Sequence, residues 1–201
     1  MAFLPQCHVD LETLGTRTSS RILSIGAVFG DQTFYAELDQ TVYPEGFTVD
    51  DSTMTWWEKQ GGFQPTQTPV SPYEATTKFH IWLTSMTVTL DEWEVWANSP
   101  SFDCAILRHH FAGFGLRTPW AFWQERDVRT IKNLAVQLQL GVRFPNNPHN
   151  ALKDAANQRV MVETVQTALA EHVHLSREAR YRGIAKAQLD TREDKVAGPV
   201  S

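Results

Sequence analysis

The stretch His8-Val9-Asp10-Leu11-Glu12-Thr13-Leu14-Gly15 (HVDLETLG, residues 8–15) sets two acids one residue apart inside an otherwise apolar run. On a strand, side chains two apart share a face and stand roughly 6–7 Å from each other. Asp10 and Glu12 therefore project together, with His8 on the same side, while Val9 and Leu11 point into a core. Carboxylates this close repel each other and tend to share a proton unless a cation lies between them. A pair of divalent ions about 3.5–4 Å apart matches the spacing. An edge strand with a solvated polar face accounts for the same pattern.

Working outward, residues 6–12, 21–29 and 33–38 read as three strands of a meander, with Gly30-Asp31 as the hairpin turn. Pro44 and Gly46 mark a loop. Ser52 is a candidate cap for a helix over 53–60 that stops at Gly61-Gly62. A helix from Ser71 or Pro72 to about residue 85 follows, then a strand over 92–97 (EWEVWA). Helices are expected over 101–114, 127–140, 151 to about 172, and 176–189, with a turn at Asn146-Asn147-Pro148 and a frayed tail, KVAGPVS. A meander followed by helices alternating with strands indicates an α/β or mixed-sheet domain with helices on its faces. Residues 1–175 would form that domain, and 176–201 a C-terminal helix and flexible tail.

The bulk numbers agree with one folded domain. Of 201 residues, 42% are hydrophobic and 11% aromatic, enough for a real core. No apolar run is long enough to span a bilayer, so no membrane association is expected. The start, MAFLPQ, has neither a basic region nor a signal-length apolar stretch, and a cytoplasmic protein is expected. Cys7 and Cys104 sit in apolar contexts and read as reduced core residues. A net charge of −5 argues against a large basic surface for nucleic acid. It leaves room for acids that bind metal, since two divalent ions would bring the balance from −5 to −1.

Two later segments add acids. Asp103, in ANSPSFDCAIL, falls in the first turn of the helix after the EWEVWA strand, at a strand's carboxyl end where α/β sites gather. Ordinary helix-dipole stabilisation would place an Asp there too. In PHNALKDA (148–155), Asn150 is a good N-cap, which puts His149 before the helix and Asp154 near its start. A His beside a metal-binding Asp can serve as general base toward water, although a lone His in a Pro/Asn turn is also an ordinary surface residue.

Taken together, these motifs resemble the DEDD-type 3′→5′ exonucleases of the H-x4-D subgroup. DLETLG at 10–15 matches that family's first motif, SFD at 101–103 its second, and HNALKDA at 149–155 its third. The TMTWWEKQ and RDVRT segments are most similar to the RNase T-like exoribonucleases of bacteria and their phages. The resemblance implies an RNase H-like α/β fold with a mixed sheet flanked by helices. It implies that Asp10, Glu12, Asp103 and Asp154 hold two Mg²⁺ or Mn²⁺ ions, with Asp10 bridging, and that His149 is the general base for an attacking water. A nucleoside 5′-monophosphate would leave. Thr13, Leu14 and Gly15 would lie under the terminal nucleotide, although Leu14 stands where the family usually has Thr or a similar residue. Related exoribonucleases are often homodimers, and spare aromatic surface here permits one.

The expected substrate is a single-stranded 3′ end, RNA favoured over DNA. Single strands can be held by stacking on aromatics rather than by a basic surface. Trp56 and Trp57 point about 100° apart on a helix, so one can be core while the other faces a groove; Trp57 is assigned to the groove. A non-catalytic binding module on the same fold is the alternative. Zinc at Cys104, His109 and His110 is not expected, because that spacing does not converge on one helix face. Arg126, Arg129 and Lys132 form a basic cluster that suits a phosphate contact, a solvated face or a salt bridge. Arg177, Arg180, Arg182 and Lys186 form a stripe that fits a solvated helix or a backbone guide.

Overall fold

β1 (Gln6–Thr13), β2 (Ile22–Phe29) and β3 (Gln32–Glu37) form the expected antiparallel meander, and β4 (Glu94–Ala97) and β5 (Glu125–Asp127) extend it in parallel. The strand order is β3-β2-β1-β4-β5, so β1 is central and not an edge strand. The computed structural model describes residues 3–89, 92–142 and 149–196, from 176 onward by backbone alone. The expected turn at 146–148, the side chains of the 176–189 basic stripe and the tail beyond 196 lie outside what is described.

Alternation along β1 sorts its two faces. Cys7, Val9 and Leu11 enter the main core with Ile25 and Ala27 of β2 and with Phe79, Leu83, Ile106, Leu107 and Phe111 from the helices on that side. His8, Asp10 and Glu12 face the other way, paired across to Val28, Gly26 and Ser24. The meander turns at Gly30, whose φ of +55° suits glycine. Both cysteines are buried free thiols, and burial pushes each thiol well up.

The helices follow the sequence with informative differences. α1 (Asp51–Lys59) starts after Asp50 rather than at Ser52. The Asp50 carboxylate does not cap its own helix; it accepts from the Thr16 N–H at 3.1 Å and pairs with Arg17. Gly61 and Gly62, at φ +90° and +78°, close α1 as expected. α2 (Pro72–Thr87) is capped by Ser71, whose Oγ accepts from the Glu74 N–H. α3 (Asp103–Gly113) follows β4. α4 (Val128–Gln137) begins only after β5, so the helix expected over 127–140 loses its start to a strand. Arg126 pins that strand to β4 through Glu94 at 2.8 Å, and the Asp127 carboxylate caps α4. α5 (Ala151–Val196) is one helix where two were expected, since the segment around 173–176 holds no Gly or Pro to break it. α5 covers the Asp10 face of the sheet. Among the described residues no helix is long and apolar enough to cross a membrane.

Candidate active site

Gly26, directly across from Asp10, lets α5 come down onto the sheet. A Cβ there would lie 2.1 Å from the Ala151 carbonyl carbon and 2.2 Å from the Leu152 nitrogen. The first turn of α5 therefore rests on bare backbone, directly over the acids of β1. Asn150 opens that turn as expected: its Oδ1 accepts from the Lys153 N–H at 3.1 Å, and its own N–H donates to Asp154 Oδ2 at 2.9 Å. Asp154 is thereby delivered to Asp10 and Glu12. Each of the three offers a carboxylate oxygen, and these oxygens all lie within 4.8 Å of one another.

Asp103 reaches the same site from the start of α3. Its Oδ1 accepts from the Leu11 N–H at 3.1 Å, in the backbone between the two β1 acids. It stands outside the three-oxygen group, yet its charge acts on Asp10 and Glu12. Burial first, then repulsion from Asp103, Glu12 and Asp154, holds the Asp10 carboxyl far above its usual range. Burial, followed by Asp154 and Asp103, pushes Glu12 up to about 8. Burial pushes Asp103 up to about 7 against the opposing Leu11 hydrogen bond and the nearby Arg129 charge. Burial also raises Asp154, while Asn150 and His149 draw it down. Hard oxygen donors that resist carrying their charges together fit a divalent cation.

His149 stands at the rim rather than among the acids. It is exposed, has φ +52°, and sets its ring 4.9 Å from that of Trp56 at 82°. The pair of tryptophans divides in the sense opposite to the expected one. Trp57 is 7% exposed, packs with Leu14 and Leu23, and donates from Nε1 to the Thr13 carbonyl at 2.9 Å. Trp56 is 38% exposed. Both border a cavity of roughly 320 Å³ lined also by Glu12, Thr13, Gly15 and Phe102. Of the residues assigned to the terminal nucleotide, Thr13 and Gly15 line this cavity, while the Leu14 side chain belongs to the core. Gly15 is closely framed, since a Cβ there would meet Ser20 Oγ at 2.5 Å and Asp50 at 2.9 Å.

Two contributors escaped the sequence reading. Gln158 donates from Nε2 to Asp10 Oδ1 at 2.7 Å; its spacing of four from Asp154 was a usable signal. Gly26 gave no signal, because a close approach of backbone is not written in its neighbours. The basic cluster is partly accounted for: Arg126 holds Glu94, and Arg129 donates to Asn98 at 3.0 and 3.3 Å. His110 is buried, contacts the Ile106 carbonyl and Tyr43, and has its imidazole pulled down to about 4 by burial. Asp10, Glu12 and Asp154 form a metal-type grouping among the described residues.

Comparison with known families matches residues 6–166 to the family described as the 3'-5' exoribonuclease Rv2179c-like domain. Two solved structures share the fold. Cell-death related nuclease 4 (CRN-4) superposes with a TM-score of 0.59 at 12% identity, over 82% of this chain and 64% of that one. The nuclease domain of 3'hExo, a DEDDh family member bound to rAMP, gives 0.53 at 12% identity, over 81% and 92%. The chain thus spans just under two thirds of the length of CRN-4. The mixed sheet flanked by helices is the RNase H-like fold of the DEDDh exonucleases. No curated protein sequence matches.

Proposed function

Because the chain belongs to the 3'-5' exoribonuclease Rv2179c-like domain family, a family of 3′→5′ exonucleases, we propose that it hydrolyses single-stranded RNA from the 3′ end to nucleoside 5′-monophosphates. The observation that carries this reading is the convergence of Asp10, Glu12 and Asp154 within 4.8 Å, with Asp103 tied to the strand between them.

Asp10, Glu12, Asp103 and Asp154 would hold two Mg²⁺ or Mn²⁺ ions. Bound there, such ions polarise the scissile phosphate, ease the ionisation of water and stabilise the leaving oxygen. The remaining tasks fall to the chain. His149, at the rim beside Asp154, takes the proton of the attacking water, which displaces the 3′-oxygen in line. Thr13 and Gly15 line the floor of the adjoining cavity, where the terminal sugar would rest. Trp56 offers an exposed ring on which a base can stack. Free buried thiols support a reducing, cytoplasmic setting. The exposed rings of Phe122 and Trp123 suit the contact of a homodimer.

The test is Mg²⁺-dependent release of mononucleotides from matched RNA and DNA oligomers labelled at the 3′ terminus. RNA is expected to be consumed faster, and Asp10→Ala to abolish release. Internal cuts would replace the reading with an endonuclease. Inertness toward both oligomers would favour a binding module.

A further inference from the structure

Asp10 lies among three other carboxylates, and one neutral side chain reaches into that crowd. Gln158 is 5% exposed and donates from Nε2 to Asp10 Oδ1 at 2.7 Å, across 148 positions of sequence. It sits one helical turn beyond Asp154 on α5, so both project from one face of the helix. The helix that delivers an acid to the site thus also delivers an amide to the central acid. The carbonyl end of that amide, Oε1, is buried without a hydrogen-bond partner. A burial that served packing alone would be better met by an apolar side chain, since an unpaired buried acceptor is costly. The bond to Asp10 is what the amide gains in exchange.

We infer that Gln158 is a positioning residue that pins Asp10 through Oδ1 and so sets the carboxylate orientation in which Asp10 shares a cation with Glu12 and Asp154. Groups that hydrogen-bond a ligating carboxylate fix its orientation and commonly govern metal affinity. The amide is suited to this because it donates without adding a fifth negative charge.

The inference rests on the metal reading of the acids, and the experiment separates the two. Mn²⁺ is titrated calorimetrically into the full chain and into Gln158→Met, which nearly preserves volume and helix propensity but lacks the donor. Mn²⁺ affinity is expected to fall by about 10–100-fold, with the KM for an oligoribonucleotide unchanged at saturating metal. Equal Mn²⁺ affinity in the two proteins overturns the role of Gln158 and leaves the metal site standing. Wild-type protein that takes up no Mn²⁺ overturns both. If Gln158→Met does not fold, Gln158→Ala carries the same expectation. Failure of both to fold would make the residue structural and overturn the inference as well.

Discussion

The backbone N–H of Leu11 donates to Asp103 Oδ1 at 3.1 Å, which fastens the start of α3 to the strand between Asp10 and Glu12. The bond orients an acid 92 positions away in sequence without using a second side chain.

Asp103→Asn keeps an acceptor for Leu11 and removes one of four mutually repelling charges. If Asp103 helps hold the ions as proposed, activity should fall at least about 100-fold, in line with what removing a key catalytic electrostatic group costs. The metal-free protein should melt no lower than wild type. Asp103→Leu instead strands the Leu11 N–H and should cost about 1–3 kcal/mol. Oligomer digestion and calorimetric melting distinguish the two substitutions.

The raised carboxyls make stability depend on pH. In the folded protein Glu12 titrates near 8 and Asp103 near 7, both pushed up first by burial. The unfolded chain releases these protons in the ordinary carboxylate range, so the folded state binds more protons between that range and the raised values. Metal-free stability is therefore greatest, as far as these groups are concerned, on the acid side. Their contribution should decline as pH rises from about 5 to about 8 and level off above. Below about pH 6.5 the buried His8 and His110, both pulled down by burial, oppose this trend, so melting temperatures should fall from about pH 6.5 to about 8, and added Mg²⁺ should restore them most at the alkaline end. A flat metal-free profile would contradict the crowding of charge.

Gly26→Ala should push the first turn of α5 off the sheet, because the new Cβ would meet backbone of Ala151 and Leu152, not a movable side chain. Overpacking of this kind costs about 1–3 kcal/mol. Mn²⁺ uptake should be lost while the chain remains helical by circular dichroism. Retained uptake would show that α5 does not need this contact to present Asp154.

The two tryptophans should separate stability from binding. Trp57→Phe keeps the ring in the core but leaves the Thr13 carbonyl unpaired, with an expected loss of about 1 kcal/mol in denaturant melts. Trp56→Ala should change stability by no more than about 0.5 kcal/mol. It should weaken oligoribonucleotide binding by about 1–3 kcal/mol if a base stacks on the exposed ring. Titration of a labelled oligomer into each variant gives the answer, and a reversed pattern would return the stacking role to Trp57.

What was readable in the sequence had a local chemical signature. His8, Asp10 and Glu12 stand out because the two faces of β1 differ in polarity, and alternation exposes that difference directly. Asn150 was readable as a cap, and Ser71 or Pro72 as the start of α2, because a cap acts within four residues of itself. The harder features depend on distant partners. β5 is three residues, Glu125–Asp127, all charged, and exists through its pairing with β4. Gly26 serves a helix more than a hundred positions later. Which tryptophan faces out depends on where α1 meets Leu14 and Leu23, and a 100° step between neighbours carries no sign of that. Ser52 was the expected cap of α1, but the helix begins after Asp50, whose carboxylate is engaged by the Thr16–Arg17 loop.

The three clustered acids, Asp10, Glu12 and Asp154, come from the first strand and from the last helix, and the Gln158–Asp10 bond spans 148 positions. A chain still short of its final helix during synthesis holds Asp10 and Glu12 without Asp154 and Gln158. Assembly of the acid cluster thus requires closure of the whole fold, and loosening of α5 at its docking end would disperse the cluster while the sheet stayed intact.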